Sequence, residues 1–353
     1  MQATVTETAP CQQSLRVHVG REAIAPVRAA VLAEFQREVT LPGFRKGKAP
    51  TDLVERQHAK AIQDEMLQRL TRQALEQTAK DHHLTPVGPF ELKAAQFSET
   101  DGLTLEATVE VEPSFTLGSY KGIRLKREPV EVTPQEIDKA LAALQESMGQ
   151  LVPAGEGQPK ERQLPAIDNE LAKDLGFESL EKLQAHVEAT LREQQRKAQA
   201  QQMESALCDE LLTRHTFAVP AGLVSRQTER LTRDFKARLL LSGVPEEKLE
   251  EEVAKFTEQL RTSAERHVKL TFLFDRIATQ ESITVTQDEL VARLWQLSQR
   301  WKKDPAEVRK IFDAQGLWPS VVSAIRQEKT TAFLTSAAAI EDGAAAHPAQ
   351  QPT

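Results

Sequence analysis

Apolar and polar residues alternate from Ser14 to Val19, where Leu15, Val17 and Val19 are separated by Arg16 and His18. A period of two predicts a strand with one buried face. The period then changes: Ile24, Val27, Val31, Phe35 and Val39 recur at steps of three and four, which predicts a helix ending near Thr40 with Pro26 in its first turn. The next segment, Leu41–Pro50 (LPGFRKGKAP), holds two prolines, two glycines and three cations without an acid. It cannot continue the helix and reads as an exposed loop. Thr51 is the expected N-cap of a longer helix through Val54, His58, Ile62 and Leu70 towards Lys80. Beyond the turn region Pro86 to Pro89, Phe90–Phe97 and Leu103–Val111 have strand character. One strand, two helices and two strands define an α+β domain over residues 1–112.

Residues 113–150 read as an extended crossing through Ile123, Leu125, Val130 and Val132, followed by a helix. Thr133 with Glu136 three residues on forms a capping box at its start, and Leu141, Leu144 and Met148 share one side. The helix must stop by Gly149 to Pro153. Residues 151–164 contain VPAGEGQPKERQ, a solvated connector by composition. From there to residue 340 the pattern is helical, broken at Gly176, Pro220, Gly243 to Pro245, Pro305 and Gly316, so an all-α domain over 165–340 is expected. Within it, Arg192–Gln202 is polar all round, the pattern of a helix standing in solvent, and this suggests an elongated domain with arms. The alanine, proline and glutamine of residues 341–353 leave little to bury, and a disordered tail is expected there.

At 353 residues the chain exceeds the roughly 250–300 at which a single core stops growing, in keeping with more than one domain. Apolar residues are 40% and charged residues 27%, and no apolar run approaches the roughly 18 residues of a membrane span. Met1 to Gly20 has neither a basic n-region nor an apolar h-region, so a cytoplasmic protein without membrane partners is expected. Cys11 and Cys208, far apart in sequence, do not make a disulfide framework. A net charge of −7 excludes nucleic-acid binding by the molecule as a whole, so any RNA contact must be local. Aromatics, at 5%, offer no evident stacking platform.

The chemistry of an enzyme is sparse. Gly43, Gly47 and Lys48 resemble a phosphate loop, but three residues separate the glycines where four are needed, and Ala49 stands where a hydroxyl would bind magnesium. His82 and His83 are adjacent and cannot share one face, and neither an HExxH nor a G-x-S-x-G sequence occurs. No catalytic residue, metal site or cofactor is expected.

One feature is unusual. Phe44 sits at the tip of an exposed loop, after Gly43 and before Arg45, Lys46 and Lys48. Either the ring folds back as a hydrophobic staple and the cations keep the loop solvated, or ring and cations together dock on a large anionic partner. The sequence leaves both open.

At this point LPGFRKGKAP resembles the signature loop of the trigger factor family, bacterial chaperones associated with the ribosome. Further similar stretches follow in order: VEVTPQEID at Val130–Asp138, LPAIDNELAKDLG at Leu164–Gly176, VPAGLV at Val219–Val224 and DPAEVRKIF at Asp304–Phe312. The resemblance implies an N-terminal ribosome-binding domain and a helical C-terminal domain whose arms cradle unfolded polypeptide. It implies that Gly43, Phe44, Arg45, Lys46 and Lys48 meet a ribosomal protein and RNA of the large subunit at the tunnel exit. Family members typically carry an FKBP-like prolyl isomerase domain between the stretches ending near Leu151 and starting near Leu164. Here only Val152–Gln163, twelve residues, lie between them, well under the roughly 40 that an unstapled domain needs.

The expected function is an ATP-independent holdase for nascent or unfolded polypeptides, docked at the tunnel exit. Two alternatives are prolyl isomerisation and a ribosome-independent assembly chaperone acting as a homodimer. Candidate substrate contacts are Leu239, Leu240, Leu241, Phe256, Phe272, Phe274, Trp295, Trp301 and Trp318, although core packing is the first reading for each.

Overall fold

The computed structural model describes residues 1–98, 101–152 and 161–343. It divides into two units, Met1–Leu117 with Thr216–Arg276, and Gly118–His215 with the chain from Ile277 onward.

The first unit is built on an antiparallel sheet of order β1-β2-β4-β3, from β1 (Gln2–Ala9), β2 (Gln12–Val19), β3 (Glu91–Ser98) and β4 (Gly102–Glu110). Leu15, Val17 and Val19 of β2 lie opposite Ala107, Leu105 and Leu103 of β4, and all six are buried. Against them pack α1 (Arg21–Glu38) and α2 (Thr51–Asp81). Val54, Ile62, Met66, Leu70 and Ala74 of α2 recur at multiples of four, so a single stripe of that helix enters the core.

Several expectations are corrected here. The first strand is β1, not β2; its half-buried positions are only Ala3, Val5 and Ala9, with exposed Glu7 interrupting the series, too little apolar alternation to stand out. Pro26 lies inside α1 and not in its first turn, because the helix begins at Arg21 after Gly20. Thr51 is the first residue of α2, and the N-cap is Pro50, without a side-chain cap. The helix α2 is kinked at His58, whose φ of −118° and ψ of 22° are not helical.

The same unit contains α6 (Ala221–Leu241) and α7 (Leu249–Gln280) as far as Arg276. Phe235 meets Phe256 edge-on at 5.2 Å between the two helices. At the foot of this hairpin Phe115 stacks on Phe217 at 4.1 Å.

In the second unit, α3 (Pro134–Ser147), α4 (Asn169–Asp174) and α5 (Leu180–Arg214) share a core of Leu141, Ala172, Leu183 and Val187. The capping box of Thr133 and Glu136 is formed as the sequence predicts. Arg192–Gln202, expected to stand in solvent, is instead half-covered on one side. Gln195 donates to Glu136 Oε1 at 3.2 Å and Gln199 to the Glu128 carbonyl, so a polar stripe meets polar neighbours. The remaining helices are α8 (Gln287–Trp301), α9 (Pro305–Gln315) and α10 (Trp318–Ser336).

Two segments expected to be unstructured contribute strands. β5 (Arg124–Arg127) pairs in parallel with β8 (Ala339–Asp342), and Arg127 Nε meets Asp342 Oδ1 at 2.6 Å, so the expected tail does not begin at Glu341. In the connector, β6 (Gln150–Val152) pairs antiparallel with β7 (Glu161–Gln163). The solvated-linker expectation for residues 153–160 and the disordered-tail expectation for 344–353 lie outside the described residues.

Candidate docking loop and apolar patches

The segment joining α1 to α2 is two consecutive tight turns. Phe44 N–H donates to Leu41 O at 3.1 Å, with Pro42 second and Gly43, at φ +88°, third in the turn. Lys48 N–H donates to Arg45 O at 2.9 Å, with Gly47 at φ +80° in the equivalent position. Positive φ at the third residue is the type II arrangement, which glycine adopts without steric cost, and proline presets the second residue. Leu41 and Ala49, at the two ends, are buried, and Gln36 Nε2 donates to the Ala49 carbonyl at 2.7 Å. The base of the loop is therefore tied to the core while its tip stands out.

At the tip Phe44 is 39% exposed and takes no part in the core cluster. The staple alternative does not describe this ring. Arg45, Lys46 and Lys48 are exposed, and none has a carboxylate within ion-pair distance among the described residues. Four neighbouring residues thus present an apolar ring and three uncompensated charges from a fixed backbone.

Of the expected substrate contacts, Leu240, Phe256, Trp295 and Trp301 are exposed, Trp295 at 54%. Phe272, Leu239 and Trp318 are half-buried, and Phe274 is core. Leu241, also among the expected contacts, is 89% exposed, and Val291, one turn before Trp295 on α8, is 53% exposed. Val291 escaped notice in the sequence; its signal is the i, i+4 spacing to Trp295, off the side occupied by half-buried Leu290, Leu294 and Leu297. Among the described residues no group of three or more His, Cys, Asp or Glu is placed to hold a metal, and no helix is long and apolar enough to cross a membrane.

Fold and site define a class: an α+β domain presenting a basic, aromatic-tipped loop, in a chain whose remaining length is largely helical with exposed apolar patches. Residues 1–144 match the family model described as bacterial trigger factor protein, and residues 179–336 the model of its C-terminus. The chain belongs to the trigger factor family.

Similar proteins include a trigger factor of an Anaeromyxobacter species, 24% identical over 97% of this chain and 100% of its own length. One from Geobacillus kaustophilus is 24% identical over 91% of this chain and 95% of its own. A solved structure from work on promiscuous substrate recognition by the trigger factor chaperone is 18% identical, covering 95% of this chain and 99% of that one with a TM-score of 0.49. The Anaeromyxobacter alignment runs over 429 positions against a chain of 353, so at least 76 of them, the excess, face no residue here.

Proposed function

We infer that the protein is an ATP-independent chaperone that docks at the ribosomal tunnel exit through Gly43, Phe44, Arg45, Lys46 and Lys48 and shields nascent or unfolded polypeptide. The observation that carries this reading is the Phe44 loop: a ring kept out of the core beside three unpaired cations, on turns tied down at both ends. A ring suits a pocket on a protein and mobile cations suit phosphates, the two chemistries a ribosomal surface offers together. Family membership gives the same direction. Leu240, Phe256, Phe272, Trp295 and Trp301 are the proposed substrate contacts, several weak apolar sites from which release needs no energy source. Off the ribosome the same exposed patches suit self-association into a homodimer, which sedimentation over a concentration series tests.

The test of docking is co-sedimentation with ribosomes. Phe44→Ala, Arg45→Ala and Lys46→Ala combined should leave the protein in the supernatant with its fold intact. A folded triple variant that still pellets would overturn the assignment.

The reading includes the absence of prolyl isomerase activity. The two family models leave only residues 145–178 unmatched between them, and the relative's excess positions are in keeping with an inserted domain that this chain does not carry. A short prolyl peptide is the suitable substrate, since uncatalysed isomerisation takes tens to hundreds of seconds and slight acceleration is visible. Acceleration that survives further purification would sink this part of the reading.

A further inference from the structure

The turn between α8 and α9 repeats, in the second unit, the chemistry of the docking loop. Trp301 is 42% exposed, and Arg300, Lys302, Lys303 and Lys310 surround it in sequence and are all exposed. One side of the indole lies against Phe312, with ring centroids 5.9 Å apart, which fixes the ring on the surface. Two of the three acids nearby are committed elsewhere, and the third, Glu307 in the first turn of α9, is exposed without an ion-pair partner among the described residues, which still leaves the cations in excess. Asp304 accepts from Ala306 N–H at 2.7 Å as the N-cap of α9, and Asp313 accepts from Trp318 Nε1 at 2.7 Å and lies 3.9 Å from Arg309. Arg300, Lys302, Lys303 and Lys310 have no carboxylate partner among the described residues.

One ordinary explanation accounts for part of this. Cations at a helix C-terminus complement its dipole, which Arg300 in the last turn of α8 already does. They do not explain the exposed ring or Lys310, which lies within α9. Nor do they explain Lys302 itself. It caps α8 in the left-handed conformation, φ 52° and ψ 43°, where α9 uses Gly316 for the same geometry. A side chain there is strained where glycine is not, so a lysine at this cap is held against the local preference.

We propose that the α8–α9 turn, through Trp301, Arg300, Lys302, Lys303 and Lys310, selects unfolded segments in which apolar residues are flanked by aspartate or glutamate. The indole takes the apolar residue and the unpaired cations take the carboxylates. Charge complementarity identifies this occupant, and the other exposed apolar patch supplies the contrast. Leu240, Leu241 and Phe256 stand in the same hairpin as exposed Glu246 and Glu247, balanced by exposed Arg238 and Lys248, while Glu250 and Glu251 pair with Lys236 and Lys255, so that patch has no excess of free cations to favour acidic segments. The proposal rests on the chaperone reading and gives one of its substrate contacts a sequence preference.

The experiment uses the full chain and two labelled peptides with the same leucine and phenylalanine core, one flanked by aspartates and one by lysines. Both are titrated by fluorescence anisotropy in a Phe44→Ala, Arg45→Ala, Lys46→Ala background, which removes the other cationic aromatic site. Adding Arg300→Gln, Lys302→Gly and Lys303→Gln should weaken the aspartate peptide about tenfold and the lysine peptide less than about twofold. Lys302→Gly relieves the strained cap, so this variant should retain its melting temperature. Trp301→Ala, checked by circular dichroism because of the Phe312 contact, should weaken the aspartate peptide as well.

Equal losses for both peptides, or none for the aspartate peptide, would overturn the selectivity. So would displacement of the aspartate peptide by a short single-stranded RNA at similar concentration, which would mark the turn as a nucleic-acid site. If the unmutated chain binds neither peptide and does not prevent aggregation of a denatured protein, the chaperone reading fails too. If it prevents aggregation but the turn variants bind normally, only this inference fails.

Discussion

The carboxylate of Glu110, at the end of β4, accepts a hydrogen bond from the backbone N–H of Gly222 in the first turn of α6 and lies 3.6 Å from Arg226. It supplies the side-chain cap that α6 lacks at Pro220, and its negative charge faces the positive end of the helix. A Cβ on Gly222 would lie 2.5 Å from Glu110 Oε2, so the glycine is what permits the approach. Cys11 Sγ, 3.4 Å from the Ala218 carbonyl, closes on the same place. The domain that carries the docking loop is thereby fastened to the α6–α7 hairpin within the first unit.

Glu110→Ala should therefore destabilise the protein by about 1–2 kcal/mol, since a charge-assisted bond to a helix N-terminus is lost while the N–H stays partly covered. Gly222→Ala should act in the same direction by displacing the carboxylate. Urea denaturation measures the loss. Hydrogen exchange should localise it to the first turn of α6, and unchanged protection there would refute the account.

A second expectation concerns salt. If Arg45 and Lys46 each neutralise one phosphate, the logarithm of ribosome affinity should fall with the logarithm of salt concentration at a slope of about −1.5 to −2. Arg45→Ala alone should halve that slope, whereas Phe44→Ala should lower affinity and leave the slope alone. Neither change should alter stability by more than about 0.5 kcal/mol, because both side chains are exposed. Equal slopes for the wild type and Arg45→Ala would remove the phosphate from the argument.

Gly102 opens β4 at φ +101°, and a Cβ there would lie 2.2 Å from the Val19 carbonyl oxygen. The obstacle is backbone of a core strand, so it cannot rotate aside. Gly102→Ala should cost about 3 kcal/mol, combining left-handed strain with a steric clash. A thermal melt of the variant within a degree or two of wild type would show that the strand shifts more freely than its pairing with β2 implies.

The sequence was informative where a local rule acts alone. The steps of four in α2, the alternation in β4 and the Thr133–Glu136 capping box depend on neighbours within a few residues, and each is formed. The break at Ser282 gave no signal because the residue has positive φ without being glycine, and the one at Lys302 was marked only from its far side, by Pro305 at the start of α9. The pairing of β5 with β8 joins residues as far apart as Arg127 and Asp342, and no local pattern reports a partner at that distance. For the loop, prolines, glycines and charges sufficed to expose Phe44. For the patches they did not: Phe272 and Phe274 share one helix with Phe256, yet half-buried, buried and exposed states follow from tertiary packing alone.

Acid should weaken the second unit through its capping boxes. The Glu289 carboxyl is held below the ordinary value of 4.5, first by Lys329, whose Nζ is 2.7 Å away, and then by the Thr286 backbone N–H at 2.8 Å. Glu136 is held low in the same way by Thr133. A carboxyl whose folded value lies below its unfolded one adds stability above the unfolded value and loses it as pH falls through the folded value. Glu289→Gln should thus lower the melting temperature at neutral pH. The gap to wild type should narrow progressively as pH drops below 4.5. A gap that persists undiminished into acid would assign the effect of the substitution to packing.

His215 ends α5 with both ring nitrogens engaged, 4% exposed. Gly118 N–H donates to Nε2 at 2.9 Å, so Nε2 must be the unprotonated nitrogen, and Nδ1–H then donates to the Leu211 carbonyl at 2.8 Å. The ring satisfies an orphan carbonyl at the helix end and holds the chain at Gly118 against it. His215→Leu preserves much of the volume but leaves a covered N–H and a covered C=O without partners, at a cost of about 2–3 kcal/mol. His215→Gln supplies one donor and one acceptor on a longer, more flexible stem and should recover part of that loss. Amide exchange of Gly118 separates hydrogen bonding from packing: it should rise steeply in the leucine variant and less in the glutamine variant. Equal exchange in the two variants, with equal stability, would mean that the imidazole acts here as a filler of space and that its hydrogen bonds contribute nothing measurable.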